Sequence, residues 1–166
     1  MSQHEAEEVL ARIQASPGRR VLGVGSMAGM GFMLLAVALT APPANPAWLV
    51  FLIVIGALAL WLADAMRRAT ALSLDLTCDG IVCSDGEIVA SIEEIESLDR
   101  GLFAFKPSNG FLMKLSTKRP SRWRPGLWWR VGMRVGIGGV TAAAQAKAMA
   151  EMIAAVQFEK NHDCGD

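Results

Sequence analysis

The side chains able to do chemistry are few and scattered. The histidines are His4 and His162, one near each end of the chain, with no partner in sequence. The cysteines are Cys78, Cys83 and Cys164. Cys78 and Cys83 flank a hairpin and are expected on one face, but no second ligand pair accompanies them to make a zinc site. They read as small core residues, and an odd count without framework spacing fits a reducing compartment. Glu93, Glu94 and Glu96 cluster as a solvated surface run does. No phosphate-binding loop, serine elbow or metal signature is present, so catalysis, a metal and a cofactor are not expected. Gly23-Val24-Gly25 follows no strand, and no acidic residue follows at dinucleotide-site spacing.

What does stand out is a division of charge. Residues 71–99 carry Asp75, Asp79, Asp85, Glu87, Glu93, Glu94, Glu96 and Asp99, with no Lys or Arg. Residues 114–134 carry Lys114, Lys118, Arg119, Arg122, Arg124, Arg130 and Arg134, with no Asp or Glu. Trp123, Trp128 and Trp129 lie in the same basic stretch. Basic residues near an anionic leaflet contribute about 1 kcal/mol each, and indoles favour the interface. Arg119, Arg122, Trp123, Arg124, Trp128, Arg130 and Arg134 are therefore the candidate surface for lipid or a protein partner. The competing reading is that the two halves pair with each other. Net charge is zero, which argues against a nucleic-acid partner.

These side chains must be positioned near a membrane. From Val21 to Ala63 there is no charged residue and no histidine. A crossing helix needs about 20 apolar residues, so the run is long enough for two crossings. One helix is expected over about 21–41 and the next over about 47–65, with Pro42, Pro43, Asn45 and Pro46 between them. Trp48 and Trp61 lie near the ends of the second helix, at interfacial positions. Arg19 and Arg20 precede the hairpin, Arg67 and Arg68 follow it, and the turn is uncharged. Positive-inside reasoning puts both termini in the cytoplasm. Gly25 and Gly29 form a GxxxG, which lets helix backbones approach closely. Their partner is either the second helix, through Gly56 and Ala59, or another membrane protein.

Around the hairpin, residues 1–18 read as an amphipathic arm, with a short helix over 2–15 capped by Ser2 and Glu5. A globular domain spans 69–160, and 161–166 is a polar tail. Leu72, Leu74, Leu76 and Cys78 alternate with polar residues as in a half-buried strand. Asp79-Gly80, Asp85-Gly86 and Asn109-Gly110 read as hairpin turns. Ile92, Ile95 and Leu98 suggest a bulged strand or a short helical turn. Phe103–Lys106 and Phe111–Thr117 pair as a hairpin. Trp129 to Ile137 reads as one last strand, with Arg130, Arg134 and Trp128 pointing outward. Thr141 then caps a helix to about Glu159.

The stretch Leu74-Asp75-Leu76-Thr77-Cys78-Asp79-Gly80-Ile81-Val82, followed by Ile88, Ile92 and Ile95, resembles the opening of the bacterial membrane-anchored PH-like domains. The resemblance covers about residues 71–158, plus the preceding hairpin. It implies a membrane α-helical hairpin joined to an α+β domain, a small PH-like β-barrel of about seven antiparallel strands capped by a C-terminal helix. It also implies a non-catalytic, two-pass protein of the bacterial inner (plasma) membrane. The resemblance carries over a binding role but no ligand; the basic stretch makes the membrane lipids of the anionic inner leaflet, or a protein partner, the expected docking surface. The alternative role is an accessory or assembly subunit of a larger inner-membrane complex, joined through the first helix.

Overall fold

The computed structural model describes residues 9–99 and 110–163. Strand β1 (Ala11–Gln14) leads directly into helix α1 (Pro17–Thr40). Helix α2 (Pro46–Ala69) returns and leads into β2 (Ser73–Leu76). Strands β3 (Gly80–Cys83) and β4 (Ile88–Ser91) follow, then a single 3-10 turn (Ile92–Glu94) and β5 (Ile95–Asp99). After the undescribed segment come β6 (Phe111–Leu115), β7 (Arg122–Arg124), β8 (Trp128–Val131), β9 (Arg134–Ile137) and helix α3 (Ala143–Asp163).

Both long helices are apolar and long enough to cross a membrane. Each has 24 residues, a rise of about 36 Å. Phe32, Met33, Leu39, Phe51 and Val54 stand exposed on their flanks, a surface suited to hydrocarbon and not to water. Pro17 begins α1, where its missing N–H costs nothing. The Asn45 side chain accepts a hydrogen bond from Ala47 N at 2.9 Å and caps α2.

Small residues set the helix crossing. A Cβ on Gly31 would lie 3.0 Å from Gly56 O and 2.9 Å from Leu60, and one on Gly56 would lie 2.9 Å from Leu35. Ala38, Ala59 and Ala63 are buried along the same seam. Gly25 and Gly29 are not in it. A Cβ on either would meet nothing within 4 Å, so both face away from α2.

Among the described residues nine strands form two antiparallel sheets, ordered β1-β2-β3-β4 and β5-β6-β9-β8-β7. One core joins them. Leu74, Leu76, Ile81, Val89, Met113, Leu115, Val135 and Ile137 are fully buried, and α3 adds Met149 and Ile153.

Three local expectations are corrected. Ala11–Gln14 is a strand and not part of an arm helix. Its period is two: Ile13 is buried while Arg12 and Gln14 are exposed. Arg12 sits opposite Asp75 and binds it through two bonds, of 2.6 and 2.9 Å. The arm thus completes the sheet of the 69–160 domain. The first hairpin turns on Cys78-Asp79 and not on Asp79-Gly80. Gly80 lies in β3, where an added Cβ would sit 2.3 Å from Ala90 O. Finally, Trp129 to Ile137 is not one strand. Val131 pairs with Arg134 across a two-residue loop, Gly132-Met133, with Gly132 at φ 61°. The expected cap at Ser2 and Glu5 and the expected strand over Phe103–Lys106, with its turn at Asn109, lie outside the described residues.

Candidate functional site

The loop at Gly132 reverses the expected facing of the basic strand. Trp128 and Arg130 on β8 point inward, while Val131 is exposed. Arg130 is 3% exposed and Trp128 is 1% exposed, so neither belongs to an outer surface. The error came from carrying one alternation through a chain reversal.

Arg130 is held by carbonyls and one carboxylate. Its Nε donates to Pro120 O at 2.9 Å, and Nη1 donates to Ile88 O at 2.8 Å and Val89 O at 3.0 Å. Its Nη2 donates to Glu87 Oε1 at 3.0 Å. The guanidinium carbon lies 5.6 Å from the centre of the Trp128 ring. Burial draws its pKa below the usual guanidinium value, and Glu87 opposes that fall.

Four more basic residues also meet acids from the first half of the domain. Arg119 binds Glu94 at 2.7 Å, Arg122 approaches Glu87 at 3.3 Å, and Arg124 binds Asp85 at 2.6 Å. Lys114 binds Glu96 at 2.8 Å. Arg122–Arg124 forms strand β7 against β8. Burial works to raise the Asp85 pKa, yet the Cys83 thiol, the Glu87 N–H and Arg124 together hold it below the ordinary value. Burial likewise works to raise the Glu94 pKa, and hydrogen bonds from Arg119 and Thr117 bring it down. The split charge seen in sequence is therefore largely an internal lattice of ion pairs. Arg134 is exposed beside Lys114 and makes no ion pair among the described residues.

Uncompensated charge gathers elsewhere, where the helices meet the domain. Arg19 donates to Thr141 O and Arg20 donates to Arg67 O, each at 3.2 Å. Both are carbonyl contacts, and neither arginine makes an ion pair among the described residues. Arg67 and Arg68 share Asp64. Four arginines against one aspartate leave this collar net positive. Beside it, Trp123 on β7 is 58% exposed. A Cβ on Gly126 would lie 3.1 Å from both Met66 and Thr70, so the loop after β7 rests on the end of α2.

Comparison with family models, curated proteins and solved structures yields no match.

Among the described residues no group of His, Cys, Asp and Glu could hold a metal ion. Cys83 is buried and its thiol pKa is pushed up, which disfavours a nucleophilic thiolate. Sequence reasoning missed the collar as a site because its arginines were read only for orientation. The available signal was that the acids fall within reach of the later basic stretch, while Arg19 and Arg20 have no acid close in sequence after them.

Proposed function

We propose that this chain is a non-catalytic, two-pass membrane protein that holds a PH-like module against the cytoplasmic leaflet of the bacterial inner membrane. The observation that carries this reading is the pairing of β1 with β2. These neighbours in one sheet are joined by the entire helical hairpin. Only Ala15 and Ser16 separate β1 from α1, and only residues 70–72 separate α2 from β2. The domain therefore has no free linker on which to swing. Its orientation to the bilayer follows that of the helices.

In this reading the collar of Arg19, Arg20, Arg67 and Arg68 meets anionic lipid, and Trp123 enters the headgroup layer. The turn at Cys78-Asp79 lies at the far end of β2, a strand of four residues and about 13 Å, from the helix end. The test is depth-dependent quenching in vesicles containing a headgroup nitroxide lipid. A fluorophore on Trp123→Cys, in a chain lacking the native cysteines, should be quenched strongly. The same fluorophore on native Cys78 should not. Equal quenching at the two positions overturns the docked orientation.

A second reading, an assembly subunit of a larger membrane complex, is favoured by one observation. Gly25 and Gly29 lie open on the outer side of α1, where another helix can approach closely. Co-purification lost on Gly25→Leu with Gly29→Leu supports it.

A further inference from the structure

A cleft of about 480 Å³ opens where α2 meets the edge strand β7. Trp61, Ala65 and Arg68 line it from the helix, Trp123 and Arg124 from β7, and Asp85 from the turn after β3. One wall continues onto the apolar flank of α2. Trp61 lies about two turns from Arg68 along that helix, a rise of about 10 Å. The cleft thus spans the depth between hydrocarbon and headgroups. Both indoles are more than half exposed, Trp61 and Trp123 each at 58%.

Both signs of charge line the cleft, Arg68 and Arg124 against Asp85. Arg68 gives its Nη2 to Asp64, and Arg124 gives its Nη2 to Asp85. Each guanidinium has five N–H donors, so donors remain on both. The carboxylate of Asp85, with about four lone-pair sites, keeps acceptor capacity beyond Arg124, the Glu87 N–H and the Cys83 thiol. A purely anionic head group would find its attraction to the arginines offset in part by Asp64 and Asp85. A head group bearing both signs would find a partner for each.

We propose that this cleft binds one phospholipid whose head group carries both a phosphate and an ammonium. The phosphate sits at Arg68 and Arg124, where guanidinium forks suit its oxygens. The ammonium sits at Asp85, beside Trp123, whose ring attracts cations. The acyl chains run down α2 past Ala65. This assignment rests on the reading that α2 crosses the bilayer with its arginine end toward the domain.

Native mass spectrometry of the full chain in mild detergent tests it. The chain is titrated in parallel with phosphatidylethanolamine and with phosphatidylglycerol of identical acyl chains. Ala65→Phe fills the cleft without touching a charge. The adduct that this variant loses should be at least threefold more abundant with phosphatidylethanolamine than with phosphatidylglycerol. Trp123→Ala should reduce the same adduct several-fold, and it guards against misfolding of the filled variant because Trp123 is largely exposed. Phosphatidylglycerol adducts equal to or above those of phosphatidylethanolamine overturn the assignment, as does an adduct indifferent to both variants. Strong quenching at Trp123 together with no lipid preference overturns the cleft alone. Failure of the quenching pattern overturns the docked orientation on which the cleft depends.

Discussion

Arg130 and Glu87 meet at 3.0 Å between the two sheets, with the arginine side chain 4% exposed and the glutamate 20%. The same guanidinium closes the carbonyls of Ile88 and Val89 on β4 while sitting on β8 of the other sheet. It therefore joins sheets that share no backbone ladder among the described residues. Removing one partner of a buried pair leaves the other charge unsolvated, at a cost of about 3–5 kcal/mol. Arg130→Ala should destabilise the domain on that scale, measured by denaturant unfolding or proteolysis in detergent. Glu87→Gln should cost less, because the three carbonyl bonds persist. Equal small losses from both would mean that the guanidinium is not the tie between the sheets.

The hairpin glycines divide by the face they occupy. Gly31→Leu should separate α1 from α2, since its Cβ position already crowds Gly56 O and Leu60. Overpacking of this kind costs about 1–3 kcal/mol. Gly25→Leu and Gly29→Leu should leave hairpin stability unchanged, because open space surrounds both positions. Proteolytic susceptibility of the helical turn in detergent compares the variants. A loss at Gly25 as large as that at Gly31 would contradict the crossing.

This division shows what the sequence makes legible. A GxxxG in α1 is easy to see, but which face meets α2 depends on rotation about the helix axis. The uncharged run and its prolines reveal the hairpin because length and polarity alone decide a crossing. Strand β1 stays hidden because it is four residues long and its partner β2 lies about 60 residues away. Its apolar residues satisfy a helical period equally well. Arg130 is misjudged for a related reason. Arginine is seldom fully buried unless paired, and the acid that pairs it lies 43 residues earlier. Of the site, the residue types are readable in sequence. Their mutual neutralisation requires the register of two sheets.

Acid should loosen the domain through Asp85 and Glu94. Both carboxyls have folded pKa values held below their ordinary ones. A depressed pKa stabilises the fold above the unfolded value, which is about 3.9 for Asp and 4.3 for Glu. That stability disappears as pH falls through the folded values. Unfolding midpoints should therefore hold steady from pH 7 to about 5 and decline below about 4. Asp85→Asn with Glu94→Gln should lower the neutral-pH midpoint and flatten the acid decline. An unchanged acid slope in that variant would assign the decline to other groups.

The two described cysteines report on both packing and topology. Cys78 is exposed in the β2–β3 turn, whereas Cys83 is buried and its thiol pKa is raised by that burial. Thiolate is the reactive form, so maleimide should modify Cys78 quickly and Cys83 only on unfolding. With Cys164→Ser in place, Cys78 becomes a native reporter of the domain's side of the membrane. Its turn tolerates this use because it touches neither the collar nor the cleft. An impermeant maleimide applied to intact cells should leave Cys78 unlabelled until lysis. A cysteine placed at Ala44, in the exposed turn between α1 and α2, should be labelled before lysis. The proposed orientation predicts this pattern, by the tendency of positive flanks to stay in the cytoplasm. Labelling of Cys78 in intact cells, with Ala44→Cys protected, would invert the orientation and turn the collar toward the opposite leaflet.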